Sequence, residues 1–253
     1  MSYDAILFDL DGTAVPSTQK SMPSEELARA TKQNKDKIHL CIATGRSWPF
    51  TKHIADALEL IDPCILSGGA VIMDPVNQQI LWQEVIDQDS LKALFEVTAQ
   101  HKFGRGYATG SVFNSLPADA TVAGIKDVNA FYVFGILPQE VDGVIETLEH
   151  IPHIMISKAG SWEGEDKFDL HITNIQATKE HAVFELCRLL QVNPLNVAGV
   201  GDGFNDVHLF NAVGHKVAMG NSVEVLKEMA DQVIGSQEDD GLAKFIKSVG
   251  ADL

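Results

Sequence analysis

Four apolar residues in a row, Ala5-Ile6-Leu7-Phe8, stop at Asp9, and a second acid, Asp11, follows two positions later. A strand that is apolar at every position has no face for water, so it belongs inside a sheet covered on both sides. The figure recurs downstream: "KIHLCIATG" is mostly apolar until Thr44-Gly45, and "NVAGVGD" until Asp202. Between these strands lie stretches with helical spacing of apolar residues. One spans 23–34, with Pro23 at its start and Ser21 or Ser24 as cap. A second spans 47–60, with Ile54, Ala57, Leu58 and Ile61 at helical spacing, and a third spans 178–190. Strands alternating with helices predict an α/β fold: a doubly wound, Rossmann-like parallel sheet.

The rhythm breaks in the middle of the chain. A hairpin is predicted over 70–85, then a helix over 89–101, three strand stretches and a helix near 140–150. These read as a smaller α+β insert at 84–171, dividing a core made of 1–83 and 172–253.

The chain has 253 residues, a net charge of −16 and no apolar run long enough to span a bilayer. Such a field repels nucleic acid and anionic membranes, so neither is an expected partner. The N-terminal residues show no signal-peptide pattern. The three cysteines, Cys41, Cys64 and Cys187, are far apart among apolar neighbours. They read as reduced core thiols, and the expected location is cytoplasmic.

Four stations carry the chemistry. Asp9-Leu10-Asp11-Gly12-Thr13 lies where a strand ends, which is where open α/β sheets bind ligands. Taken alone, Asp-x-Asp is more often a pair of solvated loop acids. Thr44-Gly45-Arg46 offers a hydroxyl, a close backbone approach and the first N–H groups of a helix. Lys179 sits on the first turn of a helix, where the backbone dipole disfavours a cation. Gly201-Asp202-Gly203-Phe204-Asn205-Asp206 places two acids four residues apart, near each other on a helix face. Clustered carboxylates of this kind suit Mg²⁺.

In this order and spacing, "DLDGT", "ATGR", Lys179 and "GDGFND" resemble the haloacid dehalogenase-like superfamily of phosphohydrolases. The C-terminal stretch from "KVAMGNS" onward is similar to its Cof-type branch. The resemblance implies a Mg²⁺-dependent phosphatase acting on a small phosphorylated metabolite, such as a sugar phosphate, through an aspartyl-phosphate. It implies Asp9 as nucleophile and Asp11 as general acid and base. Asp9, Asp11, Asp202 and Asp206 would hold the metal; Thr44, Gly45, Lys179 and Asn205 would bind the phosphoryl oxygens, and Arg46 would reach the substrate. The insert would be a cap that selects the substrate, in a monomer or homodimer. A phosphoglycolate-type phosphatase, a sugar phosphomutase and a non-catalytic phosphate-binding protein are the other readings. Gly68 stands where the branch usually has asparagine. On the insert, Arg105, Lys126, Lys158 and Trp162 are substrate candidates by residue type alone. His171 is expected to pack at the junction of insert and core, and His208 is given no role.

Overall fold

The computed structural model describes residues 3–18, 20–161, 164 and 166–251. The first stretch contains β1 (Ala5–Phe8), α1 (Glu25–Asn34), β2 (His39–Ile42), α2 (Trp48–Ala57), β3 (Cys64–Leu66), β4 (Val71–Met73) and β5 (Ile80–Gln83). The middle contains α3 (Gln88–Thr98), β6 (Gly104–Thr109), β7 (Val112–Leu116), β8 (Ala130–Ile136), α4 (Pro138–Leu148), β9 (Ile154–Gly160) and β10 (Phe168–Asn174). The last stretch contains α5 (Lys179–Leu190), β11 (Val197–Gly201), α6 (Val207–Ala212), β12 (His215–Ala218), α7 (Glu224–Met229), β13 (Gln232–Val233) and α8 (Gly241–Ala251).

The main sheet is parallel, with strand order β13-β12-β11-β1-β2. Ile6 and Phe8 point into one core layer with α1, α2 and α8; Ala5 and Leu7 point into the other with α5, α6 and α7. This two-sided burial is why β1 is apolar throughout. The chain winds from β1 to β2 on one side and returns through α5 to β11 on the other. The carboxyl ends of β2, β1 and β11 therefore meet at a topological switch point, where a crevice opens. β3, β4 and β5 form a small antiparallel sheet, and β3 touches the main sheet through an Ala43–Ile65 bridge.

The inserted sheet is antiparallel, with order β7-β6-β8-β10-β9. α3 and α4 cover one face of it. It has five strands where three stretches were expected. The run at 106–116 folds back on itself at Gly110, whose N–H donates to Asn129 Oδ1 at 2.6 Å. That partner lies 19 residues away, so the turn has no local signature beyond one glycine. β10 runs on to Asn174, so the expected boundary at 171 falls inside a strand.

Other differences concern helix ends. α1 starts after Ser24, whose Oγ accepts from Leu27 N at 3.0 Å; Ser21 instead donates to Thr18 O. α2 stops at Ala57 because Glu59 turns left-handed (φ 49°), which leaves Ile61 exposed rather than on the helix face. The three cysteines are buried and free. Among the described residues, no helix is long and apolar enough to cross a membrane.

Candidate active site

Asp9 follows the last residue of β1, and its N–H donates to Val200 O at 3.0 Å. Leu10 turns into the core, so Asp9 and Asp11 face the crevice on either side of an anchored residue. Gly12 has φ 80°, and a Cβ there would fall on the Asp202 carboxylate. Glycine is what allows the β1 and β11 loops to close on each other.

Lys179 is the first residue of α5 and is only 3% exposed. Its Nζ donates to Asp9 Oδ1 at 2.8 Å and to Asp206 Oδ1 at 2.6 Å. The burial explains the unfavourable helix position: the ammonium is held by two carboxylates rather than by water. Burial alone would depress its pKa, but Asp206 and Asp9 together outweigh that and hold it above its usual value. Burial pushes the Asp9 carboxyl well up, Asp206 adds to this, and Lys179 pulls against it.

Asp206 is fully buried. It lies in a 3₁₀ turn, Phe204–Asp206, before α6 rather than on a regular helix face. Its Oδ2 accepts from the N–H groups of Asp202 and Gly203, both at 3.0 Å. The four-residue spacing thus closes a loop onto a carboxylate. Asp202 Oδ1 accepts from Thr13 Oγ1 at 2.7 Å. Burial raises its pKa to about 6, partly offset by that hydrogen bond.

Carboxylate oxygens of Asp9, Asp202 and Asp206 lie within 4.8 Å of one another. With Asp11, four carboxyl groups stand beside two cations, Lys179 and Arg46. A hard divalent cation fits this all-oxygen donor set.

Thr44 is buried at the end of β2, and its Oγ1 accepts from Arg46 N at 3.2 Å. Its carbonyl accepts from Gly68 N at 3.0 Å, and the Arg46 carbonyl from Ser67 N at 2.9 Å. Arg46 was expected to reach the substrate. Its guanidinium instead grips Asp11 with two donors, Nε to Oδ2 at 2.8 Å and Nη2 to Oδ1, and also donates to Thr18 O and Phe50 O. Asn205 is exposed at the rim beside Phe204, which is 73% exposed.

The insert candidates separate clearly. Arg105 is buried and spends its donors on Thr98 Oγ1 and the carbonyls of Pro117 and Ala118. Lys158 reaches Asp142 on α4 at 3.6 Å and lies over the Phe168 ring. Both cations lie on the helix-covered side of the insert, Arg105 with its hydrogen bonds made inside the insert and Lys158 beside α4. Lys126 is exposed in the loop between β7 and β8, and Trp162 lies outside the described residues. His171 sits at the junction with the core, its Nδ1 near Gly45. His208 lies 3.6 Å from Glu180.

Sequence reasoning gave no role to Thr13, Asn221 or the Arg46–Asp11 fork. Asn221 donates to Gly12 O at 2.8 Å and ties the β12 loop to the β1 loop. The threonine in "DLDGT" and the asparagine in "MGNS" were the available signals.

The chain matches the family of haloacid dehalogenase-like hydrolases over residues 6–115 and 113–246. It belongs to that family. Among curated relatives it is similar to a 5-amino-6-(5-phospho-D-ribitylamino)uracil phosphatase of Bacillus subtilis, 25% identical over 96% of this chain and 94% of that one. It is also similar to a pyridoxal phosphate phosphatase of Escherichia coli, 26% identical over 98% of this chain and 99% of that one. A haloacid dehalogenase-like hydrolase from Bacteroides thetaiotaomicron shares its fold, with a TM-score of 0.84 at 21% identity, over 98% of this chain and 100% of that one. The chain is therefore an enzyme, and its relatives place it with the Cof-type phosphoric monoester hydrolases. In this haloacid dehalogenase-like hydrolase, the crevice at the switch point is the candidate active site.

Proposed function

We propose that the enzyme hydrolyses a small phosphate monoester, a sugar phosphate or similar metabolite, in two steps through an aspartyl-phosphate on Asp9. The observation that carries this reading is Asp9 itself. It is buried, and Lys179 fixes one oxygen; among the described residues no hydrogen bond takes the other.

In the first step the Asp9 carboxylate attacks phosphorus, the ester P–O bond breaks, and Asp11 gives a proton to the departing alkoxide. In the second step Asp11 takes a proton from water, whose oxygen attacks phosphorus, releasing phosphate and restoring Asp9. The Arg46 fork fixes the plane of Asp11 while leaving a lone pair on each oxygen for this proton exchange. Thr44, the Gly45 N–H, Lys179 and Asn205 bind the phosphoryl oxygens. Asp9, the Asp11 carbonyl and Asp202 would hold Mg²⁺, with Asp206 orienting the set, because its own oxygens are spent on Lys179 and two N–H groups. The ion would neutralise carboxylate charge and the charge of the phosphoryl group. The inserted sheet with α3 and α4 serves as the cap, residues 84–171 continued to the end of β10.

The test is phosphate release from a panel of sugar phosphates, nucleotides and p-nitrophenyl phosphate, with Mg²⁺ and with a chelator. Release should need the metal and fall by about 10⁴-fold or more in Asp9→Asn. Full activity in that variant would exclude Asp9 as the nucleophile.

A further inference from the structure

The inserted sheet sorts its residues by face. One row across its strands reads Leu116, Arg105, Val133, Leu170, Lys158. Val133 and Leu170 pack with α3 and α4, so both cations of these strands lie on the helix side. The next row reads Ser115, Gly106, Tyr132, His171, Ser157 and lies on the other face. Beside it are Phe113, Ala108, Ala130, Thr173 and Met155. Among the described residues of the five strands, this face has no lysine or arginine.

This is the face turned to the active site. His171 Nδ1 would be 3.9 Å from a Cβ on Gly45, in the loop expected to bind phosphate. The hydroxyl of Tyr132 faces Ser47 and Ser67 of the core without reaching hydrogen-bond geometry. Phe113 meets Phe50 of α2 edge-on, with centroids 5.4 Å apart.

The rings form one wall. Tyr132 stacks on Phe134 at 5.7 Å, Phe113 meets both by its edge, and His171 stands edge-on to Tyr132 at 4.9 Å. Gly106 has no side chain because a Cβ there would run into the Phe113 ring. Two hydroxyls, Tyr132 and Ser47, are buried here with no hydrogen bond. The nearby charges are acidic: Asp169, which accepts from Gly135 N, and Asp11. Burial also holds the His171 imidazole toward its neutral form.

We propose that this wall selects phosphate monoesters whose leaving group is uncharged and presents a ring or apolar face, with His171 and Tyr132 as the specificity-determining residues. A leaving group bearing a carboxylate or a second phosphate would meet Asp169 and Asp11, whose one cation, Arg46, is already spent on Asp11 and two carbonyls, and among the described residues of the five strands no further lysine or arginine on this face. This selects against the phosphoglycolate alternative. The proposal rests on the phosphatase reading above.

The test compares kcat/KM for benzyl phosphate and phosphoglycolate in the Mg²⁺-loaded enzyme. Benzyl phosphate is expected to lead by at least tenfold. His171→Ala should raise KM for benzyl phosphate more than it lowers kcat. Ser157 is exposed and lies opposite His171 in the register, so Ser157→Lys adds a cation to the wall without disturbing the core. It should narrow the benzyl-to-phosphoglycolate ratio at least tenfold, through a lower KM for phosphoglycolate. Equal or better turnover of phosphoglycolate by the unmodified enzyme overturns the proposal alone, as does an unchanged ratio in Ser157→Lys. No release from any ester, p-nitrophenyl phosphate included, overturns the phosphatase reading and the proposal together.

Discussion

A lysine on the first turn of a helix works against the backbone dipole, and a buried lysine works against desolvation. Lys179 does both, and two carboxylates within 2.8 Å compensate. Lys179→Met would leave Asp9 and Asp206 buried beside each other with no cation between them. Breaking such a pair costs roughly 3–5 kcal/mol. Asp9, already pushed up by burial and by Asp206, would lose the lysine that pulls against them and favour its protonated form, with a folded-state pKa further above the unfolded one. The folded state binds more protons in that window, so the variant should be most stable in acid and lose stability as pH rises. Thermal melting of the variant at pH 5 and pH 8, without metal, should show the higher Tm at pH 5. At this scale the sequence was informative wherever a residue type was out of place: acids ending apolar strands, a lysine opening a helix. It was mute about pairing. Nothing local says that Arg46 grips Asp11, 35 positions away, or that Thr13 donates to Asp202.

The start of α5 is held by a neighbouring element. Gly69 has φ 114°, and a Cβ there would run into the Thr178 carbonyl, one residue before Lys179. Gly68 also has a positive φ, 71°, but a Cβ there meets open space. The two alanine variants therefore share the cost of a left-handed backbone and differ in the collision. Gly69→Ala should be destabilised by roughly 1–3 kcal/mol more than Gly68→Ala, the range of strain and overpacking effects. It should also lose more kcat, because the collision moves Lys179. Denaturant melts and phosphate release on both proteins read this directly. Elements were legible in proportion to their locality. β1, β2, β11 and α5 carry their own periodicity, and each forms where the apolar pattern places it. The β6–β7 turn and the end of α2 depend on Asn129 and on the backbone of Glu59, which no pattern of apolar residues encodes.

On the scale of the whole molecule, the sheet order brings three strand ends together and concentrates acid there. With the metal site proposed above, the clustered carboxylates should make the folded protein a better partner for a divalent cation than the unfolded chain. Mg²⁺ at 100 times its Kd should stabilise by about 2.7 kcal/mol, which raises Tm by roughly 5–10 °C for a chain of this size. The gain should shrink as pH falls through about 6, where Asp202 takes up a proton and competes with the metal. Melting curves with Mg²⁺ and with a chelator at pH 5 and pH 7.5 test this. The doubly wound order was predictable from the alternation of strands and helices. The orientation of the inserted sheet was not, because its two faces differ only once the register is known.

The insert leaves and rejoins the core at neighbouring points. Asn174, at the end of β10, donates to Val85 O at 2.8 Å, just after β5. Asn129 likewise clasps Glu84 O at 2.9 Å. A segment whose two ends lie side by side can be lengthened, exchanged or removed without rethreading any strand of the parallel sheet. Under the function proposed above, reaction and recognition become separable heritable parts: the acids at the strand ends can stay constant while a new insert brings a new diet.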